Sequence, residues 1–132
     1  MQLVADTNIF LAAALDEPEK AHIIRATIGA EIVSPELLPY ELGNALSALV
    51  KRNRLSAEEA HSAFRIASLI PVRLIPVTID DALRLACAYK MYAYDAYFLQ
   101  CARQLQCPLL SLDRKMKQVA NDLGIKTLEL SP

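Results

Sequence analysis

Five short apolar runs punctuate the chain: Leu3–Ala5, Ile32–Val33, Val72–Val77, Leu109–Leu112 and Lys126–Leu130. None alternates cleanly between apolar and polar residues. A strand with one face in water shows that alternation, whereas a strand covered on both faces does not. Between the runs lie stretches of helical periodicity, each long enough for a crossover between parallel strands. The order βαβααβααβαβ therefore predicts a parallel sheet sandwiched between helices, with right-handed connections. At 132 residues the chain has the size of a single domain, residues 1–132, with enough surface to bury for one sizeable core.

Several helix ends are readable. Ser34-Pro35 is expected to open a helix running to about Asn53, with Pro39 kinking its early part. Ser56-Ala57-Glu58-Glu59 has the form of a capping box for a helix through about Leu69. Thr78 is placed to cap another, with Asp80 and Asp81 in the first turn where the helix dipole favours them. A further helix covers about Asp95–Gln106. The last ends at Asn121–Gly124, with Gly124 as the residue that stops it.

Hydrophobic residues at 54% and charged residues at 22% exclude a disordered chain. Fourteen basic residues against fifteen acidic ones give a net charge of -1. That balance excludes a protein whose main device is a basic surface, while leaving room for a local basic patch. Mean hydropathy is slightly positive, and the apolar excess points to a dimer or partner surface. Cys87, Cys101 and Cys107 are an odd number without C-x-x-C spacing, as expected for small buried thiols in a reducing cytosol. The apolar run Ile9–Leu15 lacks the basic start of a signal peptide and falls far short of the ~20 residues that span a bilayer. The expectation is a cytoplasmic protein with no membrane contact.

Most acids sit where acids usually sit, but four do not. Asp6 follows the first strand in Val4-Ala5-Asp6-Thr7-Asn8, and Asp113 follows the fourth in Leu110-Ser111-Leu112-Asp113. Each could simply cap the next helix. In open α/β sheets, however, ligands bind beyond the carboxyl ends of strands, where strand order switches. If the first and fourth strands are neighbours, both acids face one crevice. Glu41 lies on the stripe of Leu38, Leu42, Ala45, Leu46 and Leu49, with no Lys or Arg within one turn; a flank position reaching solvent is the plainer alternative. Asn44, one turn on, is expected to face the same ligand. Asp95 heads the stripe Phe98, Leu99, Ala102 and Leu105, where a place in the helix's first turn would also account for it.

Brought together, four carboxylates would repel and raise one another's pKa unless a divalent cation neutralised them. The donors are all oxygen, and neither His22 nor His61 has a partner at zinc spacing. That chemistry selects Mg²⁺ or Mn²⁺, the ions that serve phosphoryl transfer by activating water and stabilising a leaving oxygen.

These residues resemble the PIN-domain family, specifically the small VapC-type toxin ribonucleases of toxin–antitoxin pairs. Val4-Ala5-Asp6-Thr7-Asn8 resembles the family's opening element and Tyr40-Glu41-Leu42-Gly43-Asn44 its Glu-x-x-Asn helix. Tyr94-Asp95-Ala96-Tyr97-Phe98 is similar to its Asp-Ala-x-Tyr/Phe helix, and Leu110-Ser111-Leu112-Asp113-Arg114-Lys115 to its strand end. The likeness spans essentially the whole chain. It implies a three-layer α/β/α sandwich with a central five-stranded parallel sheet, metal-dependent endoribonuclease activity leaving a 3′-hydroxyl and a 5′-phosphate, dimerisation, and inhibition by a cognate antitoxin. Carried over by position, Asp6, Glu41, Asp95 and Asp113 form the metal-binding and catalytic acids; Thr7, Asn8 and Asn44 are secondary polar contacts.

RNA approaching such a cleft needs cations. Arg114, Lys115 and Lys117 beside Asp113 are the candidates, with a merely solvated helix face as the alternative. Lys51, Arg52 and Arg54 suit a helix C-terminus. Tyr89, Tyr92, Tyr94 and Tyr97 gather near Asp95, where one or two could stack on bases and the rest pack the core or a dimer. Three other readings compete. A phospho-acceptor receiver domain needs paired acids after the first strand, an acceptor Asp after the third and a Lys after the fifth, none of which is present. A non-catalytic PIN-fold interaction module lacks a reason to keep four acids. An RNA-processing nuclease outside any toxin–antitoxin pair shares the chemistry.

Overall fold

The computed structural model describes residues 1–130. Four parallel strands form its sheet: β1 (Gln2–Ala5), β2 (Glu31–Pro35), β3 (Arg73–Ile75) and β4 (Leu109–Leu110), in the order β3-β2-β1-β4. The expected fifth strand at Lys126–Leu130 is reduced to one parallel bridge, Thr127 opposite Leu109. Hydrogen bonds from Leu109 N to Lys126 O and from Leu128 N to Leu109 O complete it. Two residues of β4 leave no longer edge to pair with, so the segment covers that edge without extending the sheet.

Seven helices connect the strands: α1 (Thr7–Ala14), α2 (Lys20–Thr27), α3 (Leu38–Lys51), α4 (Ala57–Ser68), α5 (Ile79–Tyr89), α6 (Ala93–Leu105) and α7 (Arg114–Asp122). Right-handed crossovers put α1–α4 on one face and, after the reversal at β3, α5–α7 on the other. The packing agrees: α1 touches α2, α3 and α4, while α6 lies on β1 and β2 and meets α5 and α7. Leu3, Val4, Val33, Leu99, Leu109 and Leu110 are fully buried at the centre. Strands covered on both sides have no polar face to show, as their sequences predict.

Several local expectations change. The first crossover contains two helices, because Asp16 turns left-handed (φ 58) ahead of Glu17-Pro18 and breaks the chain before Lys20. Ser34-Pro35 ends β2 instead of opening a helix; the Ser34 hydroxyl donates to Ala5 O at 2.7 Å and ties β2 to the end of β1. Pro39 sits in the first turn of α3, where a missing N–H costs nothing, so no kink results. The capping box at Ser56 is present in both directions, at 3.0 and 2.9 Å. Thr78 begins α5 without a side-chain cap; its own N–H is instead held by Gln104 Oε1 at 2.7 Å. Gly124 adopts φ 76 just past α7, as a helix-stopping glycine should. Of the cysteines, Cys101 is buried and its thiol is pushed up to about 12, chiefly by that burial, but Cys87 is exposed. No helix among the described residues is long and apolar enough to cross a membrane.

Candidate active site

The strand order reverses between β1 and β4, which pair directly as Val4↔Leu109 and Ala5↔Leu110. Asp6 and Asp113 follow the carboxyl ends of these two strands and so share one edge, the place where open α/β sheets bind ligands. Both carboxylates also cap helices. Asp6 accepts from Ile9 N at 3.3 Å and Asp113 from Met116 N at 3.0 Å. Capping and site formation are thus the same geometry: a parallel sheet delivers each helix N-terminus, and its cap, to the same rim.

Glu41 and Asp95 reach that rim from the first turns of α3 and α6. With Thr7, Asn8, Ala45, Phe98 and Met116, the four acids line one cleft of about 120 Å³. Four separate elements therefore bring all four acids to the same place. Larger cavities lie elsewhere, including an apolar groove between α3 and α4. Asn44 lines that groove with Tyr40 and His61. Ala45, four residues beyond Glu41 and closer to it around the helix, takes the cleft-facing position.

Other acids find cations: Asp16 with Lys20, Glu31 with Arg73 and Asp80 with Arg84. None of the cleft acids has an ion-pair partner among the described residues. Asp6 is only 3% exposed, and its carboxyl is raised from 3.8 to about 6, first by burial and further by the charges of Asp113 and Asp95. Burial and the Asp95 charge raise Glu41. Burial and the Asp113 charge raise Asp95, with Lys115 opposing. In this arrangement no three candidate ligands among the described residues already stand close enough to grip an ion. The donor set nevertheless fits one: oxygen only, buried or half-buried, and without an ion pair among the described residues. The buried hydroxyl of Thr7 in the cleft wall also lacks a hydrogen-bond partner.

Ser111 is a polar residue whose part the sequence did not disclose beyond its place in the strand-end motif. Its buried hydroxyl donates to Asp6 and accepts from Asp113 N at 2.9 Å. One side chain thereby fixes the spacing of two acids on adjacent strands. Of the cations, Lys115 donates to Lys90 O at 3.2 Å and stands near Asp95; Arg114 is exposed and Lys117 half-buried on α7.

A parallel α/β sandwich with acids converging at the β1/β4 switch defines a class, and comparison places the chain within it: residues 3–122 match the PIN domain, and the chain belongs to that family. Among curated proteins it is similar to Ribonuclease VapC3 of Pyrobaculum aerophilum, 27% identical over 123 residues, covering 89% of this chain and 94% of that one. It is also similar to Ribonuclease VapC9 of Mycobacterium tuberculosis, 26% identical over 114 residues, covering 86% and 87%. Among solved structures, PAE2754 from Pyrobaculum aerophilum superposes with a TM-score of 0.70 at 23% identity, covering 96% of this chain and 83% of that one. VapBC2 from Rickettsia felis, bound to a DNA fragment from its promoter, gives a TM-score of 0.65 at 14% identity, covering 97% and 98%.

Proposed function

We propose that this chain is a Mg²⁺- or Mn²⁺-dependent endoribonuclease and the toxin of a toxin–antitoxin pair. The observation that carries the reading is the convergence of four carboxylates, from four elements, on one cleft where none of them forms an ion pair among the described residues. The relatives named ribonucleases support the substrate class.

Asp6, Glu41, Asp95 and Asp113 would hold the ion, which when bound supplies the charge that activates water and stabilises the leaving oxygen. The chain's own part is to prepare the donors. Ser111 and the Ile9 N–H hold the Asp6 carboxylate; the Met116 N–H holds that of Asp113. The N-termini of α1, α3, α6 and α7 offset part of the cost of gathering negative charge. Thr7 and Asn8 offer polar contacts to a phosphate or its water, and Arg114, Lys115 and Lys117 draw the strand to an otherwise anionic cleft. The likeness to the VapBC2 assembly supports an antitoxin partner. Exposed Leu69, Ile79 and Leu83 supply apolar surface for that partner or for a homodimer.

The test pairs wild type with Asp95→Asn in Mn²⁺ titration calorimetry and in cleavage of a single-stranded RNA. Wild type should bind Mn²⁺, cleave, lose cleavage in EDTA and arrest growth on expression; the variant should do none of these. Metal-independent cleavage, or cleavage retained by Asp95→Asn, overturns the assignment.

A further inference from the structure

The turn between α5 and α6 meets the first turn of α7 through the Lys115–Lys90 hydrogen bond, and each adjoins in the chain a segment that bears a cleft acid, Asp95 for the one and Asp113 for the other. Tyr92 and Tyr94 are 84% and 61% exposed. Tyr94 immediately precedes Asp95. Its ring is braced edge-to-face on half-buried Tyr97, centroids 6.2 Å apart and planes at 73°, so one ring face is pre-positioned instead of sweeping through solvent. On the first turn of α7, Lys115 is tethered to the carbonyl of Lys90, and Lys90, Arg114, Lys115 and Lys117 have no ion-pair partner among the described residues. The segments next to the acidic cleft thus carry one exposed, braced aromatic ring and several unpaired cations.

We propose that this surface is a platform for single-stranded RNA, in which Tyr94 stacks on an unpaired base beside the cut and Lys115 takes a neighbouring phosphate. The proposal deepens the nuclease reading above and rests on it for the position of the cut. Single-stranded nucleic acid is the occupant that matches both features, because stacking needs a free base face and the cations need a backbone charge. A protein partner would use the rings without a need for regularly placed cations.

The test measures fluorescence anisotropy of a labelled single-stranded RNA on the full chain in EDTA at low salt, and steady-state cleavage in Mn²⁺. Tyr94→Ala should weaken binding roughly tenfold and raise KM with little change in kcat, while Tyr94→Phe keeps wild-type values. Lys115→Ala should weaken binding and flatten its salt dependence by about one charge. Tyr40→Ala is the control: Tyr40 is 81% exposed and adjoins Glu41 but lines the separate α3–α4 groove, so its removal should leave both readouts unchanged. Equal binding of a duplex of the same sequence, wild-type binding by Tyr94→Ala, an equal loss in Tyr40→Ala, or no RNA binding by wild type would each overturn the platform. Cleavage that persists with an unchanged KM in Tyr94→Ala sinks the platform and leaves the nuclease standing. RNA binding lost in Tyr94→Ala by a wild type that never cleaves does the reverse.

Discussion

Replacing Asp6 with Asn should make the protein more stable as it disables it, by an amount that depends on pH. Asp6 is almost fully buried, and its carboxyl is raised from 3.8 to about 6, a difference worth about 3 kcal/mol at 1.36 kcal/mol per pH unit. The sign follows from proton binding. Between those two values the folded state holds a proton that the unfolded state has released, so wild-type stability falls as pH rises through that window and stays low above it. Asn carries no charge at any pH, keeps one oxygen for the Ile9 N–H and turns its amide nitrogen to the Ser111 hydroxyl, whose oxygen can accept from it. Asp6→Asn should therefore exceed wild type by about 1–3 kcal/mol at pH 8, and the gap should close towards pH 4. For a chain of this length that is a rise of roughly 3–12 °C in Tm. Urea and thermal melts across pH 4–8, with EDTA present to remove bound cations, measure it. Adding Mn²⁺ should then raise the Tm of wild type alone. A gap that does not change with pH, or a variant less stable than wild type at pH 8, would refute the account of Asp6 as a desolvated, uncompensated anion.

Three further outcomes follow from the same structure. Ser111→Ala removes the hydroxyl that holds Asp6 and lowers its pKa, so Mn²⁺ binding by calorimetry should begin at higher pH, with a stability loss of about 1–2 kcal/mol; Ser111→Thr should restore both. Ser56→Ala breaks the α4 capping box and should cost about 1 kcal/mol in urea melts, with Mn²⁺ affinity unchanged because α4 contributes nothing to the cleft. Leu99→Ala opens a cavity beneath the sheet and should cost about 2–5 kcal/mol, and a smaller loss would show that the α6–sheet contact can collapse around the missing atoms.

Much of this architecture can be read in the residues, and the exceptions have physical reasons. The strands at Leu3–Ala5 and at Leu109–Leu110, within the longer apolar run to Leu112, announce themselves because fully covered strands must be apolar throughout. The Ser56 cap is visible because its partners lie three residues apart. What depends on distant contacts is not visible. Lys126–Leu130 has strand composition, but whether it pairs is decided by the length of β4. Ser34-Pro35 reads as a helix start until Pro35 is found opposite Ile75 in the sheet. Ala45, and not Asn44, lines the cleft beside Glu41, because helical arithmetic separates neighbours three and four residues away by a fraction of a turn. Ser111 becomes meaningful only once β1 and β4 are known to be adjacent, which places Asp6 and Ser111 together across 105 positions.

The four acids are not held alike. Asp6 and Asp113 follow the ends of paired strands and are each tied by hydrogen bonds, with one serine between them. Glu41 and Asp95 extend from helices on opposite faces of the sheet, and no hydrogen bond figures among the influences on either carboxylate. The cleft thus resembles a vice with one jaw bolted down and the other free to travel. A change that stiffens the strand side should leave its grip intact, whereas one that shifts either helix by a fraction of a turn should loosen it.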